Sequence, residues 1–478
     1  MDAASFQFVL FGLAAAILSN LSRSRIWRSI ALLVSSVVFL CLLGRNPIAF
    51  LPLLGFLLLG YGAILMHERG WFRHMAWAIL AVIFVYIWLK KYTFLPEGMF
   101  LRFPYFTLGL SYIFFRVLHL LIESGDGGEK RRVGFGVYLL YTLNFTTLVS
   151  GPIQRYDEFV RDQLADEPIS LGPRVIGLQL ERIVRGFFKV NVLAMLLDVS
   201  RLDALAQLSQ PLPLSLKMFS AFRLAILYPF FIYANFSGYI DIVIALARLM
   251  RIRLPENFDR PFSALSFLEF WNRWHITLSN WLKIYVYNPL LMASMRHIPS
   301  LWLEPYLGVF CFFVTFFLIG IWHGRTSEFA IYGILLGGGA AINKLWQSSL
   351  AAKLGRKGYR ALAANVIYIV FGRGLTFTWF AFSLFWFWAD WKQIDLIFKA
   401  ISGVRWIVVW SLIWLCASVV LALWEWLRER LLSIQIHGNP VLTSRYLKVV
   451  FASALALISL VLTLLLNQPA PAIVYKAF

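Results

Sequence analysis

The segment PYLGVFCFFVTFFLIGIW, residues 305–322, contains eighteen residues and not one Asp, Glu, Lys or Arg. This length and apolarity are typical of a helix that crosses the hydrocarbon core of a bilayer, which takes about 20 predominantly apolar residues. Comparable stretches recur along the chain near 7–22, 29–43, 46–66, 75–89, 104–122, 133–150, 218–247, 327–346, 362–388, 405–424 and 449–468. The sequence therefore predicts roughly eleven or twelve membrane crossings.

The overall composition supports the same class. Of the 478 residues, 60% are hydrophobic and 17% are aromatic, while only 14% are charged, which lies outside the usual range of soluble globular domains. The apolar runs are continuous and do not alternate, so they exclude a transmembrane β-barrel. We predict an all-α polytopic membrane protein in which residues 1–478 form a single integral membrane domain.

The basic residues predict an orientation. The N-terminal run MDAASFQFVLFGLAAAILSNLS has no basic segment before its apolar part, so we expect an uncleaved first span with its N-terminus outside. The loops near 23–28, 67–74 and 124–132 together carry eight Lys and Arg residues, whereas the two intervening loops carry four. This bias favours a cytoplasmic side for the first set of loops.

The net charge of +20 does not indicate a nucleic-acid partner. The basic residues are scattered between hydrophobic spans and are not collected in a soluble patch with its own fold. Attraction to the headgroups of membrane lipids explains this distribution better. We predict contact with membrane lipid, no nucleic acid, no metal site and no bound cofactor.

The stretch FWNRWHITLSNWL, residues 270–282, has the periodicity of an amphipathic helix. Its tryptophans fall on one side and its asparagines and Arg273 on the other. His275 lies at the border, with Asn272 three residues before it and Ser279 four after it, so that all three can line one edge. An alternative is an interfacial helix whose aromatic rings lie at headgroup depth and whose cations face lipid phosphates.

His323 directly follows the apolar run 305–322. An ionisable side chain at membrane depth is unfavourable by a few kcal/mol unless it faces protein or water, which makes His323 a functional candidate. The structural alternative is a histidine that donates to a neighbouring carbonyl. Gly324, next to it, would allow a backbone or a thin substrate to approach closely.

The stretch FSGYIDIVIALARLMRIRLPENFDRPF, residues 236–262, places Asp241 inside an apolar helix. Pro255 and Pro261 end helical structure after it. An ion pair between Asp241 and a nearby arginine would hold two helices together. Four arginines follow in the sequence: Arg248, Arg251, Arg253 and Arg260.

These motifs together resemble the membrane-bound O-acyltransferase family. The resemblance rests on the run from 236 to 282, on IWHG 48 residues after His275, and on LVSGPIQRYDEFV at 148–160. It is dense from about 148 to 346. It is strongest for the bacterial branch that includes the alginate O-acetylation membrane protein and the D-alanyl transfer protein of teichoic acids.

The resemblance implies a bundle of about eleven spans around a central funnel or tunnel, with amphipathic and re-entrant helices. It implies an acyl thioester donor on the cytoplasmic side, either acetyl-CoA or an acyl carrier protein, as co-substrate. The acceptor would be a hydroxyl of a cell-envelope glycan or of a periplasmic partner protein, and the location the bacterial inner membrane.

The resemblance assigns the catalytic histidine to His323 and its partner to His275. A neutral imidazole can take the proton of an alcohol at physiological pH, so we expect His323 to be the general base. His275, with Asn272 or Ser279 near it, would orient or polarise the acyl carbonyl or fix the tautomer of the other imidazole. Arg273, Arg155 and Asp241 are candidate substrate-binding residues, the two arginines for an anionic donor.

The chain also departs from the pattern of its bacterial relatives. Leu336 stands where a second histidine before a glycine is expected, and we expect the run Gly337 to Gly339 to permit close helix packing. The acceptor therefore stays open between a polysaccharide that is acetylated and a teichoic-like polymer that receives D-alanyl groups. A non-enzymatic transporter or scaffold, with the histidines and Asp241 in a polar cluster, is the alternative from another class.

Overall fold

The computed structural model describes residues 5–44, 46–69, 75–125, 132–300, 302–436, 439–440, 444–466 and 471. Within these residues the chain forms the α-helices α1 Phe6–Asn20, α2 Arg25–Leu43, α3 Leu51–Glu68, α4 Met75–Leu89, α5 Leu110–Gly125, α6 Phe135–Thr142, α7 Phe145–Leu148, α8 Tyr156–Gln163, α9 Pro173–Phe188, α10 Met195–Leu208, α11 Leu214–Leu249, α12 Phe267–Trp271, α13 Ile276–Leu282, α14 Asn288–His297, α15 Glu304–His323, α16 Ser327–Ala363, α17 Val366–Ser383, α18 Phe385–Trp388, α19 Trp391–Ala400, α20 Gly403–Ser433 and α21 Arg445–Leu466. The predicted all-α class is confirmed.

Shorter elements join these helices. The 3₁₀-helices are Pro47–Phe50, Glu97–Met99 and Pro261–Ser263, and the π-helices are Lys189–Ala194 and Lys283–Tyr287. Strand β1, Gln435–Ile436, pairs with strand β2, Asn439–Pro440, in a small antiparallel hairpin in which Gln435 opposes Pro440.

Eight helical segments of the described residues are long and apolar enough to cross a membrane, which confirms a multi-pass protein. They are Arg25–Leu43, Pro47–Glu68, Leu214–Leu249, Tyr306–His323, Ser327–Ala363, Val366–Trp388, Gly403–Leu432 and Tyr446–Thr463. Two further apolar helices, α1 and α4, are shorter. Each of these segments overlaps a span that the sequence predicts.

The predicted span at 133–150 is wrong as a single helix, because α6 and α7 are separate short helices. Asn144 lies between them, and its side-chain oxygen accepts a hydrogen bond from the backbone N–H of Thr146 at 3.2 Å. The break frees backbone carbonyls that would otherwise be unsatisfied. The buried guanidinium of Arg116 on α5 donates to them, at 2.8 Å to each of the two carbonyls that end α6 and at 2.9 Å to that of Thr147.

The chain divides into two compact units, and each has its own core. The first unit comprises Met1–Phe188 and Phe236–Glu256, and the second comprises Lys189–Asn235 and Asn257–Pro471. In the first, Phe8, Phe39 and Phe145 are fully buried and their rings contact one another at centroid distances of 5.6 and 5.9 Å. The single domain over 1–478 and its central funnel stay predictions.

In the second unit, glycines bring α15 and α16 into close contact. A Cβ atom on Gly333 would lie 2.6 Å from the carbonyl oxygen of Phe317, and one on Gly337 would lie 2.6 Å from that of Phe313. A Cβ atom on Gly339 would lie 2.3 Å from the indole nitrogen of Trp379. The predicted close packing at the glycine run is therefore confirmed at two of its three positions, and it places the end of α15, where His323 lies, against α16.

Candidate active site

The backbone around His275 does not form the predicted continuous helix. The helix α12 ends at Trp271, α13 begins at Ile276, and His275 between them has φ 46° and ψ 50°. This left-handed conformation is uncommon for a residue other than glycine and interrupts an α-helix. The prediction of one amphipathic helix over 270–282 is therefore wrong.

The interruption follows from pairing with the segment that precedes α12. Phe258 and Trp274 form an antiparallel bridge. The backbone N–H of Asp259 donates to the carbonyl of Arg273 at 2.9 Å, and that of Ile276 donates to the carbonyl of Asn257 at 3.0 Å. These bonds satisfy backbone groups that a continuous helix would have used, so the break leaves few unsatisfied groups.

The side chain of Asn257 holds the His275 imidazole. Asn257 is fully buried, and its Oδ1 lies 3.3 Å from Nδ1 of His275. The same oxygen accepts from the backbone N–H of Thr277 at 3.1 Å and from its hydroxyl at 2.9 Å. A backbone N–H can only donate, so the side-chain atom of Asn257 that the Thr277 N–H contacts must be the amide oxygen. His275 must therefore carry its proton on Nδ1, which leaves the lone pair on Nε2.

Burial also determines the charge of His275, which lies outside the candidate membrane spans. The side chain is almost completely buried, and desolvation lowers the pKa of His275 to about 3. The imidazole is therefore neutral at physiological pH. No metal-binding group of three or more His, Cys, Asp or Glu side chains occurs among the residues that the structure describes.

The Trp322 ring lies near both histidines. It is 6.4 Å from the ring of His275 and 4.7 Å from that of His323, between centroids. His323 is buried, and its ring also contacts Tyr332 at 5.9 Å and Phe387 at 5.3 Å. The two histidines thus share a tryptophan neighbour in a largely apolar environment.

Gly324, which follows His323, is approached closely, as the sequence predicts. A Cβ atom there would lie 2.0 Å from the ring of Phe329. The approaching group is therefore an aromatic ring of α16 and not a backbone segment.

Asn272 and Ser279 do not share a helix edge with His275, because the helix is interrupted between them. They line a cavity of about 260 Å³, together with Trp271, Lys283 and Thr315. The Ser279 hydroxyl donates to the carbonyl of Trp274 at 3.4 Å. The cavity is bounded by α12, α13, the π-helix Lys283–Tyr287 and α15. His275 lies between the first two of these helices, and His323 ends α15.

Comparison with known proteins identifies the family. A model of the membrane-bound O-acyltransferase family matches residues 128–387, which include both histidines. The chain belongs to this family. The predicted resemblance is thereby confirmed.

The relatives that match this chain are named for different activities. A teichoic acid D-alanyltransferase of Streptococcus thermophilus is 32% identical over 250 residues, which are 50% of this chain and 57% of that protein. A peptidoglycan O-acetyltransferase of Helicobacter pylori is 32% identical over 210 residues, 44% and 37% of the two chains. A probable alginate O-acetylase of Azotobacter vinelandii is 28% identical over 294 residues, 60% and 55%. The matches span about half the length of these relatives.

In this member of the membrane-bound O-acyltransferase family, Arg273 forms ion pairs with protein carboxylates. Its guanidinium lies 2.9 Å from Glu269, one helical turn earlier, and 3.4 Å from Asp259. Both partners are part of the segment that shapes the break at His275. The contacts support a role for Arg273 in positioning that segment, while its predicted contact with a substrate stays a prediction.

Asp241 lies in the first unit, and the structure shows it paired with arginines other than those that the sequence suggests. Its carboxylate pairs with Arg182 at 2.9 Å and with Arg185 at 3.6 Å, both on α9. Gly186 permits this contact, because a Cβ atom there would lie 2.5 Å from the carbonyl oxygen of Gly238. The predicted arginine pair that joins two helices is thus found with α9, whose arginines were not the predicted partners.

Arg155, also in the first unit, belongs to a polar cluster that sequence reasoning missed. Its guanidinium lies 2.8 Å from Glu123. The same carboxylate lies 3.4 Å from Nε2 of His119, which accepts the backbone N–H of Tyr156 at 3.2 Å. The spacing of His119 and Glu123 by four residues on α5 was the available signal.

Proposed function

We propose that the protein is an O-acyltransferase that moves a short acyl group, acetyl in the simplest case, from a cytoplasmic thioester to a hydroxyl acceptor. The acceptor is a cell-envelope glycan or a periplasmic partner protein, and the enzyme acts in the bacterial inner membrane. The observation that carries the proposal is the arrangement of His275, Trp322 and His323 in a member of the membrane-bound O-acyltransferase family.

The reaction needs a base, because an alcohol is a weak nucleophile until its proton is removed. In the proposed step the acceptor oxygen bonds to the carbonyl carbon, the bond between that carbon and sulfur breaks, and the acceptor proton passes through His323 to the thiolate. The rings of Trp322, Tyr332 and Phe387 around His323 keep bulk water away. Exclusion of water protects the acyl group from hydrolysis.

The tautomer of His275 narrows its role. A group that polarises an acyl carbonyl must donate a hydrogen bond, whereas Nε2 of His275 presents a lone pair because Asn257 holds the proton on Nδ1. This favours a role in which Nε2 of His275 accepts a hydrogen bond, either from the incoming hydroxyl or from a neighbouring group. It does not favour His275 as an oxyanion donor.

The cavity beside the site supports a short acyl group. Its volume of about 260 Å³ lies at the lower limit of small-molecule sites, which span about 300–1,000 Å³. Lys283 and the polar side chains of Asn272, Ser279 and Asn280 line it and are suited to the polar part of a donor. D-alanyl is the second candidate group, since the relatives include teichoic acid D-alanyltransferases.

The test is mass spectrometry of envelope glycans from cells that produce wild-type protein or His323→Ala at equal membrane abundance. We expect one ester to disappear in the variant, and its mass to distinguish acetyl from D-alanyl. His297→Ala is the matched control, because His297 is exposed on α14. An unchanged ester profile in His323→Ala would refute the proposed base and favour the transporter or scaffold alternative.

A further inference from the structure

A second and larger cavity lies in the second unit between α16, α17 and α20. Its volume is about 1030 Å³, and its walls are mostly apolar, at the upper end of the range of about 300–1,000 Å³ for small-molecule sites. Ile342 and Leu375 in its wall are 63% and 57% exposed. Protein interiors are close-packed, so a space of this size beside exposed aliphatic side chains indicates a binding site for an apolar ligand.

The cavity has a polar end and an apolar end. On α16 it is lined by residues on both sides of Gly355, whose φ of 69° and ψ of 165° interrupt the helix. The lining runs from Gly339 to Gln347 before this break and from Tyr359 to Ala363 after it. At the Tyr359 end, the indole N–H of Trp346 donates to the hydroxyl of Tyr368 at 3.2 Å. Tyrosine and tryptophan concentrate at the level of lipid headgroups, so this end corresponds to the membrane interface. At the other end, Gly339 lies against the indole of Trp379 and the ring of Phe267.

The part of α16 next to the polar end is strongly basic. From Phe329 to Ala363, α16 contains no Asp or Glu. Between 344 and 360 it carries five cations: Lys344, Lys353, Arg356, Lys357 and Arg360. Among the residues that the structure describes, none of the five forms an ion pair with a carboxylate. Arg356 and Arg360 flank Tyr359, which lines the cavity.

We propose that this cavity binds one anionic phospholipid. Its acyl chains lie along Ile342 and Leu375, and its phosphate faces Arg356 and Arg360. The order of groups, with cations next to the aromatic end of the cavity and aliphatic side chains beyond it, matches the order of headgroup and chains in a lipid. A diffusing anion would not need the apolar part, and a neutral lipid would not need the cations.

The bound lipid would support the helix that precedes His275. Phe267 and Glu269 of α12 line the large cavity, whereas Leu268 and Trp271 of the same helix line the small one. The helix α12 is thus a wall shared by the two cavities. This inference does not depend on the proposed acyl transfer, because it concerns only the ligand of the large cavity.

The experiment is native mass spectrometry of the full chain after extraction from nanodiscs of equal phosphatidylcholine and phosphatidylglycerol content. We expect one phosphatidylglycerol to remain bound. Each basic residue near an anionic lipid changes its partitioning by about fivefold, so Arg356→Gln with Arg360→Gln should weaken retention by roughly thirtyfold. The matched control is Lys392→Gln with Arg405→Gln, two exposed cations on α19 and α20 that lie outside the cavity.

A second variant tests the apolar part separately. Leu375→Trp places an indole in the proposed path of the acyl chains without changing any charge, and because Leu375 is 57% exposed the substitution leaves the core intact. We expect it also to weaken retention of phosphatidylglycerol. Loss in the arginine variant with full retention in Leu375→Trp would mean a surface headgroup contact and would overturn the cavity site. Equal retention of phosphatidylcholine and phosphatidylglycerol by wild type would overturn it as well.

Discussion

Acidification from pH 7 to pH 5 should destabilise the folded protein through His275. Burial lowers the pKa of His275 from its ordinary 6.5 to about 3, so the folded protein keeps it neutral at pH 5. In the unfolded chain, His275 binds a proton as the pH falls through 6.5, whereas in the folded protein it does so only near pH 3. The free energy of unfolding therefore decreases as the pH falls from about 6.5 towards 3. For the interval between pH 7 and pH 5, linkage gives a loss of about 2 kcal/mol.

The assay is the free energy of unfolding, measured by titration with dodecyl sulfate in mixed micelles at both pH values. His275→Asn removes the titrating group, and asparagine tolerates the left-handed conformation that His275 adopts. We expect wild type to lose about 2 kcal/mol more than this variant between pH 7 and pH 5. His297→Asn, at an exposed position on α14, is the matched control. Equal losses in wild type and His275→Asn would refute a buried neutral His275.

Three further substitutions test contacts within the two units. Asn257→Ala leaves three buried donor groups without their acceptor, and we expect the free energy of unfolding to fall by about 3 kcal/mol or more. Gly333→Leu should force α15 and α16 apart and lower the thermal midpoint, whereas Gly338→Leu, which meets no atom within 4 Å, should not. Asp241→Asn weakens the buried pair with Arg182 and should destabilise by about 3 kcal/mol, with the ester product unchanged in mass.

Most of the helical fold follows from local sequence, because a bilayer demands long apolar helices. The run 305–322 predicts α15, which the structure places at Glu304–His323. The exception at 133–150 depends on a distant residue. The guanidinium of Arg116 donates to the carbonyls at the break between α6 and α7. The hydrophobicity of residues 133–150 does not reveal this contact, because Arg116 lies outside that segment.

The two histidines of the site were predictable from chemistry and from the family motif, but their partners were not. Asn257 lies eighteen residues before His275, in the PENFDRP segment whose prolines indicated irregular backbone without indicating what it contacts. Arg182 lies 59 residues before Asp241. Helical periodicity directed attention to neighbours of His275 at three and four residues, and nearness in sequence directed it to the arginines that follow Asp241. In both cases the observed contact joins separate elements.

The backbone of His275 supplies an argument for function that the sequence could not. A non-glycine residue in the left-handed region is strained by about 1–3 kcal/mol, and a neutral buried imidazole adds the loss of its hydration. Asn257 offsets both, since it fixes the ring through Nδ1 and anchors the first turn of α13 through Thr277. A histidine that only filled space would be replaced without loss by an apolar residue on a continuous helix. The strain is therefore best explained by a need for an imidazole with its Nε2 lone pair in one fixed direction, beside Trp322 and next to His323.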